Sequence, residues 1–124
     1  MIDLKKYKIV YLATPYTRYP TGIVPAFRDA CTIAAKLVKA GVSVYSPIAH
    51  IHPIAFHGEI NPLDNDIWVP FNVPMMEVSD VLLVTKMLSW EVSAGIKHEI
   101  EFFTKANKPV YYLDVLTMEV YECS

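Results

Sequence analysis

At 124 residues the chain is long enough to bury one hydrophobic core and reads as a single domain, residues 1–124. Its 53% hydrophobic and 19% charged residues fit a globular chain and exclude disorder, while a net charge of −2 excludes a binder of nucleic-acid backbones, which needs a clustered basic surface. No apolar run approaches the roughly 18 residues of a membrane span, the first six residues carry no signal-peptide core, and Cys31 and Cys123 make no disulfide framework, so a cytoplasmic chain with no membrane partner is expected.

Residues 8–13 form an apolar, β-prone run that reads as a buried strand. Thr14, Pro15, Tyr16 and Thr17 end it, and the loop runs on to Gly22. That loop carries hydroxyls and aromatics in place of the glycines of a dinucleotide or Walker loop, so no cofactor is expected from it. Ile23, Ala26, Phe27, Ala30, Ile33, Ala34, Leu37 and Val38 then repeat at helical spacing, predicting a helix over 23–40 with Pro25 in its first turn and Gly41 just past its end. A second strand, 42–46, stops at Pro47.

Residues 48–66 show no clear period and read as a long loop, of the kind that is functional or poorly ordered. It holds His50, His52 and His57, a spacing that raises a zinc site without supplying a convincing further ligand, so no metal is expected. Over 66–78 the helical spacing of Ile67, Phe71, Met75 and Val78 conflicts with Pro70 and Pro74, predicting one or two short helical pieces with a break. Residues 80–85 are a third, fully buried strand, 86–90 a loop, 110–113 a fourth strand, and 118–123 a short last one. Strands alternating with helices predict a flavodoxin- or Rossmann-like three-layer α/β domain with a parallel sheet of four or five strands. Ligands of such sheets sit beyond the carboxyl ends of the strands.

The helix from about Trp90 to Ala106 is the most informative stretch. Val92, Ile96, Ile100, Phe103 and Ala106 share one face and Lys97, Glu101 and Lys105 the other, yet Glu99 falls near the middle of the apolar face. A carboxylate there needs a partner, a proton or an open cleft. Ser93, near the helix N-terminus, can add a hydroxyl to the free amides that favour an anion, and Gly95 lets a ligand approach the backbone. The same three residues equally fit a capped helix with a packing glycine and a solvated glutamate. Tyr16, Tyr19, Trp68 and Trp90 offer aromatic faces near the expected rim, with Tyr16 the first choice for stacking on a base.

Tyr11, Ala13, Pro15 and Tyr16 after the first strand, Ser46-Pro47 after the second, His52-Pro53-Ile54, Trp68, and Trp90, Ser93-Ala94-Gly95-Ile96, Glu99 and Phe102-Phe103 together carry a resemblance over nearly the whole chain. The chain resembles the nucleoside 2-deoxyribosyltransferase-like superfamily, in its nucleotide N-glycosidase branch. It is most similar there to a small family known as domain of unknown function 1937. The resemblance implies that Glu99 is a nucleophilic carboxylate oriented by Tyr11, and that Ser93 reads the phosphate of a nucleoside 5′-monophosphate. It implies that Ala13, Thr14, Pro15, Tyr16, Trp90, Gly95 and His50 border that substrate, and that the chain forms a homo-oligomer.

One position departs from the pattern. The superfamily's acid/base aspartate, eight residues before the third-strand Asp80, is Asn72 here. An amide supplies no proton, so Asp64, Asp66 or a histidine of the long segment must replace it, or turnover falls. Two functions follow as expectations: cleavage of an N-glycosidic bond by hydrolysis or transfer, or nucleotide binding and sensing with weak or no turnover.

Overall fold

The computed structural model describes residues 2–123. Its centre is a five-stranded sheet. β1 (Val10–Ala13), β2 (Val44–Tyr45), β3 (Val81–Thr85) and β4 (Val110–Leu113) run parallel, and β5 (Val120–Tyr121) pairs antiparallel with β4. The order is β2-β1-β3-β4-β5. The expected parallel sheet is thus four strands plus one reversed edge. Residues 114–119 are too few for a parallel crossover, which needs a dozen or more. They make a tight turn instead: the Asp114 carboxylate accepts from the amides of Leu116 and Thr117 at 2.9 and 3.1 Å.

Helices cover both faces, and strand alternation decides which residue meets which helix. Val10, Leu12, Val81 and Leu83 pack with Ile33 and Leu37 of α1 (Ile23–Lys39). Tyr11, Ala13, Leu82 and Val84 turn to the other face. There they meet Met76 of α3 (Asn65–Val78) and Ile96 and Phe103 of α4 (Ala94–Lys105). The α1 helix starts and stops at two glycines with positive φ, Gly22 at 103° and Gly41 at 87°, the backbone region where side chains are disfavoured.

Two expectations are corrected. Much of the segment read as a loop is a helix, α2 (Pro47–His57). Ser46 caps it, its hydroxyl accepting from the Ala49 amide at 3.2 Å, and Pro47 takes the first position, where no amide partner is lost. Ile51 and Ala55 bury against Trp68, whose indole N–H donates to the Asn61 carbonyl at 2.9 Å. Nor does α3 break at its prolines. Pro70 and Pro74 are four apart on the exposed side. The carbonyls they leave without donors, those of Asp66 and Pro70, can therefore turn to water.

Candidate functional site

β1 and β3 are neighbours, and the chain leaves β1 toward β2 on one side and β3 toward β4 on the other, so the crevice beyond the carboxyl ends of β1 and β3 is the topological switch point of the sheet. A cavity of about 260 Å³ opens there. Its walls come from β1 (Tyr11) with the loop after it (Thr14, Tyr16, Arg18), α2 (Ile51), α3 (Trp68, Asn72, Met76) and the start of α4 (Ser93, Gly95, His98, Glu99).

Glu99 stands at the inner end of this cavity as the anomaly on an otherwise apolar face: Ile96 and Phe103 beside it are buried. The residue keeps partial exposure through the cavity it lines, but protein atoms crowd its carboxyl. Burial therefore pushes the carboxyl up to about 8, partly opposed by the Tyr11 hydroxyl. Tyr11 is itself raised far above the ordinary phenol range, by burial first and by the Glu99 charge second. The Tyr11 hydroxyl lies within reach of the carboxylate yet closes no hydrogen bond as oriented, and it has no partner among the described residues.

Tyr11 is not alone. Tyr45, its register partner on β2, stacks at a tilt with ring centroids 5.6 Å apart. Its hydroxyl is also buried without a partner, and burial together with the Glu99 charge raises it to about 12. The hydroxyl of Thr14 and the side-chain oxygen of Asn72 complete a set of buried polar atoms lacking hydrogen bonds around this crevice. Such atoms are costly unless a ligand or water satisfies them.

The α4 N-terminus opens into the same cavity. Ser93 is its N-cap, accepting from the Ile96 amide at 3.2 Å, and its hydroxyl proton stays free to donate. The helix starts at Ala94, later than expected, after a 3-10 turn at Trp90–Val92. Val92 is consequently exposed and does not belong to the buried stripe, and Ala106 is an exposed cap. At Gly95 an added Cβ would meet nothing closer than the Ser93 hydroxyl at 3.9 Å, so internal packing does not demand the glycine. The open space in front of it faces the cavity.

Not every expected site residue gathers here. Glu99, Tyr11, Asn72, Thr14, Tyr16, Ser93 and Gly95 do. Ala13 and Pro15 are buried behind the rim, where the Ala13 carbonyl accepts from the Thr85 hydroxyl at 3.0 Å. Trp90 packs on Tyr112 with centroids 5.8 Å apart and borders a separate shallow cleft. His50 is exposed and stacks on Phe71.

His52 nitrogen Nδ1 meets the Tyr16 hydroxyl at 2.6 Å while its ring stacks on Phe27. Burial lowers its pKa, which leaves Nδ1 free to accept the Tyr16 proton. Among the described residues no three of His, Cys, Asp and Glu converge as metal ligands would. Asp64 caps α3 and Asp66 is exposed, and neither borders the cavity. Asp80 binds the Lys8 and Ile9 amides and serves the start of β1.

Three residues escape the sequence reading. Tyr45 is one, although a tyrosine ending the strand beside β1 was its signal. Arg18 is another, a cation in the loop already assigned to the ligand edge. His98, next to Glu99, is the histidine that does line the cavity.

No curated protein matches the chain. The profile described as "Domain of unknown function (DUF1937)" matches residues 8–115, a span that holds all five strands but β5 and every residue of the cavity. With its crevice, its capped α4 and Glu99 all inside that span, the chain belongs to the DUF1937 family.

Proposed function

We propose that the protein cleaves the N-glycosidic bond of a nucleoside 5′-monophosphate, with Glu99 as nucleophile. One observation carries the reading: a buried carboxyl at the switch-point crevice, beside unpartnered tyrosine hydroxyls and below an open helix N-terminus. The superfamily resemblance supplies the chemistry. Glu99 attacks C1′ as the bond to the base breaks through an oxocarbenium-like transition state. The bonding pair leaves with the base nitrogen, which takes a proton. Water then opens the glycosyl ester and restores the carboxylate. Tyr11 orients Glu99, and the α4 amides with Ser93 and Arg18 suit a phosphate.

Asn72 cannot provide the leaving-group proton. Among the lining side chains, His98 has the chemistry of a general acid. A missing acid costs about 10²–10⁴-fold in rate, and Asn72 therefore favours a second reading, a nucleotide-binding module with little turnover.

The test is a panel of ribo- and deoxyribonucleoside monophosphates, with released base read by chromatography. Glu99→Gln is expected to abolish release and to keep nucleotide binding. Release should climb as pH rises toward about 8, because the nucleophile must be ionised. Unchanged turnover in the variant removes the catalytic role. Tight binding with no release by the unaltered protein selects the binding module.

A further inference from the structure

The β1–β2 register sets two tyrosines side by side on the face that α4 covers, Tyr11 opposite Tyr45. Both hydroxyls are buried and both lack a partner; Tyr11 stands within hydrogen-bond reach of Glu99, and Tyr45 is the next buried hydroxyl beside it. A single tyrosine beside a carboxylate fits one orienting bond. Two, from neighbouring strands, fit the two oxygens of one carboxylate.

Packing explains why the second hydroxyl is confined. The Tyr45 ring is held between Tyr11, at 5.6 Å, and His50, at 5.9 Å. Tyr11 rests in turn on Phe103 at 5.6 Å.

We propose that Tyr45 is a second positioning residue for Glu99, its hydroxyl and that of Tyr11 each donating to the carboxylate once it is ionised. The clamp gives the charged form two donors inside a pocket that otherwise disfavours charge. It also fixes the carboxylate plane, which decides which oxygen faces the cavity. The other polar groups near Glu99 are few. The loop after β1 brings Tyr16 and Arg18, α3 brings the uncharged Asn72, and α4 itself brings His98. On α2 the lining residues Pro47, Ile48 and Ile51 bring no charge, and the one titratable group that touches the pair is His50, against the Tyr45 ring.

The catalytic meaning of the clamp rests on the function proposed above, but its test needs no substrate. Glutamate labelled with ¹³C at the carboxyl carbon allows Glu99 to be titrated by NMR in the whole protein, with Glu99→Gln identifying its resonance. Tyr45→Phe removes one oxygen and keeps the ring stack. Its Glu99 midpoint is expected about one pH unit higher, a tenfold weaker acid, because the ionised form loses a donor. Tyr121→Phe, whose hydroxyl binds Glu119 on the far edge strand, should leave the midpoint in place. A Tyr45→Phe midpoint equal to that control overturns the proposal.

A second measurement stays within the unaltered chain. The Tyr45 Cζ resonance should shift at the Glu99 midpoint and lose that step in Glu99→Gln. A Tyr45 resonance indifferent to Glu99 overturns the proposal even if Tyr45→Phe folds poorly. Should the clamp titrate as stated while no monophosphate releases base, the glycosidase reading fails and the positioning role stands.

Discussion

Glu99 is the residue where folding and chemistry pull in opposite directions. Its carboxyl has an ordinary value of 4.5 and is raised to about 8 by burial. Between those values the folded chain keeps a proton that the unfolded chain has released. Stability therefore falls as pH rises through that window and levels off above it. Glu99→Gln carries no such proton. We expect the variant to melt progressively higher than the parent as pH goes from about 5 to about 9, with no gap at the acid end. Parallel melting curves across that range would mean that the carboxyl is not buried as described. The anomaly was legible in the sequence, because one glutamate interrupts a helical apolar stripe. Tyr45 was not, because only the sheet register sets it beside Tyr11.

At the scale of elements, local signals and long-range contacts share the work unequally. The α1 stripe and the buried runs of β1 and β3 were readable because periodicity depends on near neighbours alone. The start of α2 was missed, although Ser46-Pro47 is a cap followed by a first-turn proline, because apolar Ile54 and Phe56 are exposed beside the buried stripe of Pro47, Ile51 and Ala55 and blur its period. The end of α3 depends on something no local pattern contains. Lys108, from the turn before β4, donates its ammonium to the carbonyls of Met76, Glu77 and Ser79 at 3.2, 2.6 and 2.7 Å. These are the acceptors a helix leaves free at its C-terminus, where a cation is also favoured by the helix dipole. Lys108→Met keeps the stem and removes the donors. It is expected to lower stability by about 1–2 kcal/mol, read as a lower urea midpoint with an unchanged slope. An unaltered midpoint would show that water replaces the ammonium at no cost.

For the whole molecule, the sheet order makes one crevice special, and the four walls of the cavity come from segments far apart in the chain. A ligand filling it should tie β1, α2, α3 and α4 together and stabilise the fold by mass action. At free ligand a hundredfold above its dissociation constant the gain is about 2.7 kcal/mol. We expect a nucleoside monophosphate to raise the melting temperature more than its parent nucleoside at equal concentration, since in the proposed function the phosphate is the group held by the amides of α4 and the Ser93 hydroxyl. Equal shifts for the two would remove the phosphate from that helix end. Among the described residues no helix is long and apolar enough to cross a membrane.

By itself the sequence determined the α/β alternation, the buried central strands, the long first helix and the capped helix with a misplaced glutamate. Each is written in spacing along the chain, and spacing survives without a fold. Only the tertiary structure decided that β5 turns back, that α2 and α3 are whole helices, that Trp90 and His50 stand outside the cavity, and that Arg18 and His98 stand within it. It also decided the company of Glu99. Burial, hydroxyl partners and the value at which a carboxyl ionises are properties of a packed neighbourhood, and that neighbourhood exists only once β1, β2 and α4 have met.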